Sequence, residues 1–376
     1  MNFDFTEEQQ MIRDSIARFV QDDYDWETRK AIVASDKGMS DSAWQQFAEL
    51  GWLSIPFDEA VGGFGGSIVD TAVIMEEIGK GLIVEPYLAT VLLYGNLIAK
   101  AGDEAQRGAL IPSIIDGSTL GTFAYVERQS RFEITDCKTS AQKAGERYSI
   151  SGEKVVVLNA TNAHKAVVLA RTSGEQFDRE VLSLFVVDLE AEEVERFDYA
   201  MMDGQRRANL TFTNTPAELL GQEGKAMDTV DAVIREATIA IAAEALGCMG
   251  VLNTKTLEYT KQREQFDVSI SSFQALKHRM VDTMMAFEQT KSLLYRAMCE
   301  FQEDLVKADV TVHALKVLLD RNAKLVYGEA IQLHGGMGIT DELDIGHYAK
   351  RLMMINTTFG DVTYHRNHYA NKSYAA

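Results

Sequence analysis

Proline, cysteine and basic residues are scarce in this chain: four prolines, three cysteines, and 37 Lys plus Arg against 56 Asp plus Glu in 376 residues. The cysteines, Cys137, Cys248 and Cys299, show no CxxC or Cys/His spacing. Their odd number argues against a disulfide framework, their spacing argues against a zinc site, and a reducing cytoplasm fits both. A net charge of −19 disfavours unassisted binding to DNA or to an anionic membrane, so the basic groups that matter are expected to be few and local. No apolar run reaches the roughly 18 residues of a membrane helix, and the N-terminal MNFDFTEEQQMIRDSI has neither a basic n-region nor an apolar core, so no membrane or targeting segment is expected.

What is present divides the chain into three textures. Across 1–118 apolar residues recur at intervals of three and four (Met11, Ile12, Ile16, Phe19, Val20; then Trp44, Phe47, Leu50), with Thr6, Glu8 and Gln9 at a plausible helix start. The stretch GWLSIPFDEAVGGFGGS, with Pro56 and its glycines, breaks this helical layer as a loop. Across 119–222 the runs RYSISG, EKVVVLNA, KAVVLAR, SLFVVDLE and ANLTFTN alternate or carry β-branched residues between turn signals, as in a small antiparallel β-domain. Across 223–376 no proline interrupts three long segments with stripes at helical spacing, which pack most simply as an antiparallel bundle. Met280, Met284, Met285 and Phe287 are expected in its core. The fold class is therefore α+β and mainly α: a helical domain, a central antiparallel β-barrel domain and a C-terminal four-helix bundle.

One segment asks for more than a fold. QLHGGMGIT, residues 332–340, ends a long helical pattern on Gly335-Gly336, with Gly338 two places on. Glycine inside a helix costs about 1 kcal/mol against alanine, and is favoured where φ is positive or another group must come close. The segment is then either a helix cap with a turn or a backbone floor for a nucleotide.

The order of domains, together with FDFTEEQQMIRDSIARF, GGFGGS, AYVERQSRF, ISGEKVVVLNA, MMDGQRRANLTF, REQFDVSISSFQALKHRMVD, QLHGGMGIT and HYAKRLMMINTTFGD, resembles the acyl-CoA dehydrogenase family along essentially the whole length. The resemblance is strongest to the branch of pimeloyl-CoA dehydrogenase small subunits and related chains of steroid and cyclic-acid degradation. It implies a flavoprotein, dimeric or tetrameric, with FAD between the β-domain and the bundle. Gln332, Gly335 and Gly336 would approach the adenosine diphosphate of a neighbouring subunit's FAD, and Arg263 would meet its pyrophosphate, for which a bidentate guanidinium is suited. Phe266 and Gln274 fall at adjoining FAD contacts, although Asp267 replaces the family's usual glycine. Ala124, Tyr125 and Val126 match the strand whose backbone lies along the flavin ring, and Asn159 matches the second flavin-facing strand. Val126, Val156 and Leu158 stand where the family often has Thr, Trp and Thr, so two hydroxyl donors near the flavin are missing.

The family's reaction implies that a carboxylate removes the α-proton of an acyl-CoA while hydride leaves the β-carbon for the flavin, giving a trans-2-enoyl-CoA, with electrons passing to an electron-transfer flavoprotein. The carbonyl oxygen must be hydrogen-bonded in a site that excludes water, and the base must be a carboxylate poised by burial. The resemblance assigns the commonest position of that base to Gly360, which retains only a backbone amide; Asp361 follows it. The other family position falls on Ala237, one residue after Glu236, and one residue turns a helical side chain by about 100°. Glu236 and Asp361 are the candidate bases. Thr238 replaces the arginine that normally follows the helix-borne glutamate. A second reading follows: a non-catalytic small subunit that pairs with a homologous chain carrying the glutamate and contributes to FAD binding and structure. A third is an architectural homologue that binds neither FAD nor CoA.

Other chemistry finds little support in the sequence. His278, His334, His347 and His365 form no metal-ligand spacing, so no metal is expected. Ser130 and Ser140 lack nucleophile-elbow glycines, and GGFGGS has no βαβ unit around it. Lys350 and Arg351 of HYAKR read as a solvated helix end.

Overall fold

The structure is a computed structural model and describes residues 5–145 and 147–374. In chain order its helices are α1 (Glu7–Asp22), α2 (Trp26–Ala34), α3 (Asp41–Glu49), α4 (Ile68–Gly81), α5 (Asn96–Ala101), α6 (Glu104–Leu110), α7 (Pro112–Ile115), α8 (Ala226–Gln262), α9 (Gln274–Glu303), α10 (Leu305–His334), α11 (Ile345–Thr357) and α12 (Val362–Tyr374). The strands are β1 (Gly121–Ala124), β2 (Ser140–Ala144), β3 (Arg147–Leu158), β4 (Lys165–Arg171), β5 (Leu182–Asp188), β6 (Val194–Ala200), β7 (Arg206–Leu220), β8 (Glu264–Gln265) and β9 (Val268–Ser269). A π-helical segment, Tyr87–Gly95, precedes α5. By spatial contact the chain forms two compact units: Met1–Arg29 with Ile68–Ile83 and Thr238–Ala376, and Lys30–Ser67 with Val84–Ala237.

The second unit is built on the β-domain. β2, β3, β7, β5 and β4 form a closed ring, because β4 pairs antiparallel with β5 and also bridges β2 at Arg171–Ser140. Closure removes the open edges that an alternating strand pattern would otherwise leave to aggregate. The long β7 makes this possible: its first half pairs with β6 and its last residues with β5, while β3 runs along its other side. β1 is parallel to β4, an exception in the mainly antiparallel sheet. Inside lie Ile150, Val157, Val168, Phe185, Leu210 and Phe212, all fully or nearly fully buried.

The first unit is helical. Thr6 caps α1 through a complete capping box with Gln9, as the sequence pattern predicts. α1 packs on α4, and α10 runs against α9, α11 and α12. Where α4 meets α8, two glycines replace side-chain packing with backbone contact. A Cβ on Gly79 would stand 2.0 Å from the Glu244 carbonyl, and one on Gly247 would stand 2.0 Å from the Glu76 carbonyl. Most of the α8 stretch long and apolar enough to cross a membrane is buried within the protein.

Two expectations are corrected here. Met284 and Met285 are about half exposed (49% and 50%). α9 turns Thr283, Ala286, Thr290 and Leu294 inward instead, leaving Met280, Val281 and Met284 to line, with Leu257, an apolar surface groove. Arg351 is not solvated: it is buried and gives a bidentate ion pair to Glu244, Nε to Oε1 at 2.5 Å and Nη2 to Oε2 at 2.8 Å. Only Lys350 reaches solvent, pairing with Asp341 at 2.7 Å.

Candidate functional site

In the β-containing unit, Ala124 ends β1 fully buried, and Tyr125 and Val126 continue it half-buried. A buried ion pair holds this run. The Lys154 ammonium, with no exposed surface, reaches Glu127 Oε1 at 2.7 Å and the Tyr125 carbonyl at 3.3 Å. The Glu127 carboxylate also accepts from the amides of Lys138 (2.8 Å) and Thr139 (3.0 Å). Burial alone would raise the Glu127 pKa; Lys154 and these donors outweigh it and bring it down to about 2. The strand backbone is thereby fixed, with the Val126 carbonyl accepting from Val155 at 2.8 Å.

Across from it, the end of β3 is irregular. Pairing with β7 shifts register between Lys154 and Val157, and Val156 takes φ +57 with its side chain 41% exposed. A β-branched residue at positive φ is strained, and such strain collects at functional sites. The Val156 amide is held by Asn209 Oδ1 at 3.0 Å. Asn159, at φ +50, adopts a conformation that asparagine tolerates, and takes a hydrogen bond from Asn162 at 2.9 Å.

In the helical unit, the residues assigned to the dinucleotide come together in part. Arg263 is exposed where α8 gives way to the β8–β9 hairpin, and its carbonyl accepts from Ile270 at 2.9 Å. Phe266 (φ +56) and Asp267 (φ +62) form the two-residue turn, so Asp267 supplies the left-handed backbone that the family gives to glycine. Phe266 is 87% exposed. Gln274 opens α9, exposed, one residue beyond Phe273, whose ring meets that of Phe266 edge-on. Tyr259, one turn before Arg263, stacks on His334 at 4.4 Å, which ties the hairpin to the end of α10.

The three glycines after His334 have three different explanations. Gly335 needs its φ of +62. Gly338 needs its packing, since a Cβ there would lie 2.6 Å from the Ile331 carbonyl. Gly336 needs neither: its φ is not positive, and a Cβ would meet nothing within 4 Å. It is exposed beside exposed Gln332. Nothing among the described residues requires glycine at 336, which fits close approach by a group from outside, as a dinucleotide requires.

The candidate bases each have structural partners. Glu236 is 9% exposed, and its Oε2 is ion-paired with the Lys100 ammonium at 3.3 Å without hydrogen-bond geometry. Asp361 caps α12, with its Oδ1 accepting from Tyr364 at 2.8 Å. Between them in the sequence argument stands Gly360, buried, at φ +123 after Phe359 at +59. A Cβ on Gly360 would stand 2.5 Å from Tyr364 Cδ1 and 2.7 Å from His365 Nε2. This corner accepts no side chain without rearrangement.

Sequence reasoning missed what holds that corner. Lys316, buried on α10, donates to the carbonyls of Ile355 (2.7 Å) and Thr358 (2.9 Å), which the end of α11 leaves without helical partners. Burial pushes its pKa down to about 7 against the opposing charges of Asp320 and Asp361. His365, 2% exposed, shares a 2.8 Å contact between Nδ1 atoms with His313. Burial first, then Lys316 and the neighbouring histidines, lower its pKa to about 2, so it is neutral. A lysine on the inner stripe of an otherwise apolar helical pattern was the available signal.

The family's three domains match in order: the N-terminal domain at residues 6–118, the middle domain at 122–215 and the C-terminal domain at 227–373. The chain belongs to the acyl-CoA dehydrogenase family. Among its relatives, probable acyl-CoA dehydrogenase YngJ of Bacillus subtilis is 27% identical over 353 residues, 92% of each chain. Acyl-CoA dehydrogenase IpdE2 of Mycobacterium tuberculosis is 28% identical over 346 residues, covering 92% of this chain and 91% of that one. A variant of the steroid ACAD Tcur3481-Tcur3483 superposes with TM-score 0.88 at 25% identity, over 98% of both chains. The acyl-CoA dehydrogenase fold, helical then β then helical, is therefore that of this protein.

Proposed function

We propose that the chain is an FAD-binding subunit in the α,β-dehydrogenation of an acyl-CoA to a trans-2-enoyl-CoA, and that a second acyl-CoA dehydrogenase chain beside it carries the catalytic carboxylate. The observation that carries the FAD part of this reading is Gly336, whose absent side chain serves no need of the described residues, together with an exposed Arg263 that matches the family's pyrophosphate arginine. FAD, when bound, supplies the two-electron acceptor for the β-hydride. Arg263, Gln332, Gly335 and Gly336 would hold the diphosphate of a neighbouring chain's FAD, and Ala124, Tyr125, Val126 and Asn159 would lie along the ring of the FAD in this chain. The Gly360 amide is the group left at the family's usual base position to hydrogen-bond a thioester oxygen. The apolar groove of Leu257, Met280, Val281 and Met284 suits a homologous partner, and the two-chain name of the steroid ACAD neighbour accords with such a pair. Electron-transfer flavoprotein is the family's acceptor, and the cytoplasm the compartment consistent with thiols.

A second reading makes this chain catalytic by itself, with Glu236 as base. It is favoured by the burial of that carboxylate. Co-purification from the source organism with mass analysis separates the two: a homologous chain in equal amount, with flavin present, supports the heteromer. A homo-oligomer whose flavin is bleached by an acyl-CoA supports catalysis by this chain. A colourless protein that stays colourless when FAD is added removes both.

A further inference from the structure

The corner between α11 and α12 contains a donor that the chain leaves unused. On either side of it the backbone amides are satisfied: Thr358 donates to the carbonyls of Met354 (3.1 Å) and Ile355 (3.2 Å), and Tyr364 to Asp361 Oδ1 (2.8 Å). The amide of Gly360, a buried residue, makes no hydrogen bond among the described residues. Buried N–H groups in folded proteins are rarely left without an acceptor, so one that arrives from outside the chain is expected.

Lys316 fixes the entry to this corner. Its buried ammonium donates to the carbonyls of Ile355 (2.7 Å) and Thr358 (2.9 Å) and, at longer range, Asn356 (3.5 Å), which engages all three of its protons. The Thr358 carbonyl lies in the peptide plane immediately before the one that carries the Gly360 amide, so the clamp orients the backbone one plane upstream of the unused donor. Phe359 (φ +59) and Gly360 (φ +123) then take two positive φ values in succession, a run that persists only where its surroundings over-determine it. On the exit side the Asp361 carbonyl accepts from the His365 amide at 3.0 Å, and Tyr364 and His365 fill the space where a Cβ of residue 360 would stand. The unused amide is thus held between a lysine clamp and a helix cap. A donor fixed beforehand needs no reorganisation when negative charge gathers on the oxygen it meets, as it does on a thioester carbonyl whose α-proton is leaving.

We infer that Lys316 is a positioning residue for the thioester: by clamping the carbonyls of Ile355 and Thr358 it holds the Gly360 amide where the substrate's carbonyl oxygen arrives. With its protons engaged by backbone carbonyls, Lys316 acts through that amide and not by contact with the acyl-CoA. The inference rests on the reading above that brings a thioester oxygen to Gly360.

The test uses the purified flavoprotein together with any chain that accompanies it, and compares two ligands through the flavin spectrum. One is trans-2-octenoyl-CoA, a thioester that this dehydrogenation does not oxidise further; the other is its thioether S-(trans-2-octenyl)-CoA, in which a methylene replaces the carbonyl. The unaltered protein should bind the thioester roughly tenfold more tightly. Lys316→Met should bring that ratio toward one by weakening the thioester alone, and Lys316→Arg, which keeps charge and donors, should recover part of it. A ratio untouched by Lys316→Met, or an equal loss of affinity for both ligands, overturns the inference while leaving the acyl-CoA reading standing; so does equal binding of the two by the unaltered protein. If neither ligand perturbs the flavin, the functional reading fails and takes the inference with it. Should Lys316→Met not fold, Lys316→Gln, shorter and uncharged but polar, replaces it in the same comparison. A crystal structure of the unaltered protein with the thioester is the check independent of variants: the carbonyl oxygen belongs within hydrogen-bond distance of the Gly360 nitrogen, and an oxygen elsewhere refutes the assignment.

Discussion

The Tyr259 ring lies on the His334 imidazole, 4.4 Å between centroids and 27° from parallel, and its hydroxyl reaches the His334 carbonyl at 3.4 Å. One contact thus joins the hairpin of Arg263 to the glycines that follow α10. Truncating it as Tyr259→Ala should loosen both elements and lower the flavin content of the purified protein several-fold, read as the ratio of flavin to protein absorbance.

The neighbouring glycines give a sharper contrast. Gly336→Ala fills open space, so its unfolding free energy should stay within about 1 kcal/mol of the unaltered protein while FAD affinity falls at least tenfold. Gly338→Ala places a Cβ 2.6 Å from a carbonyl and should cost stability by about 1–3 kcal/mol through strain. Thermal denaturation and flavin titration on the two variants check this; equal flavin affinity in Gly336→Ala and the unaltered protein would sink the cofactor assignment.

The Glu127–Lys154 pair makes a stability prediction with a defined pH window. Removing Lys154 alone, as Lys154→Met, leaves a buried carboxylate uncompensated and should cost about 3–5 kcal/mol, much of which Glu127→Gln in the same chain should restore. The Glu127 pKa falls from the ordinary 4.5 to about 2 in the fold, so the unfolded chain binds more protons between those values. Its contribution is complete above about pH 4.5 and is lost as pH falls through 2. Urea denaturation of the single and double variants across pH 3 to 7 reads both effects.

At the corner held by Lys316, Gly360→Ala should destabilise the protein by at least about 1–3 kcal/mol, because it forces a side chain to φ +123 and into Tyr364 and His365. Gly360→Glu should not create a dehydrogenase for the same reason. Recovery of acyl-CoA-dependent flavin bleaching in that variant would contradict this.

For the catalytic reading the decisive variant is Glu236→Gln. If the base is in this chain, bleaching by acyl-CoA falls by three or more orders of magnitude with flavin content intact. If a partner carries the base, stopped-flow traces of the reconstituted pair should change by less than tenfold.

Short apolar, β-branched runs between turn residues were legible in the sequence. KAVVLAR and SLFVVDLE are β4 and β5, buried along nearly their whole length, and EKVVVLNA falls at the end of β3. Helix α9 misled because apolar residues lie on two of its faces, and composition does not say which face meets the interior of the chain and which remains exposed. The Arg351–Glu244 pair and the Lys316 clamp were invisible for a related reason. Their partners lie 107 and 39 or more residues away, and no local pattern marks a charge that will be buried. The residues that the resemblance assigns to the dinucleotide carry no local mark of their own: an exposed arginine and a glycine look ordinary, and only the fold shows that nothing among the described residues explains Gly336.

The glycine notches at Gly79 and Gly247 bear on where a carboxylate can stand along α8. With carbonyls of α4 and α8 seated where Cβ atoms would be, the two helices mesh like a key in its keyway, and α8 has a single rotational setting. Glu236 stands eleven residues before Gly247, about 20° out of phase on an ideal helix, whereas the family's glutamate would stand ten before it, about 80° to the other side. Shifting an acidic residue by one place along α8 is therefore not a small evolutionary step. Transplanting the carboxylate to position 237 would change which wall of the helix bears charge, and no compensating twist of the rod is open to undo it.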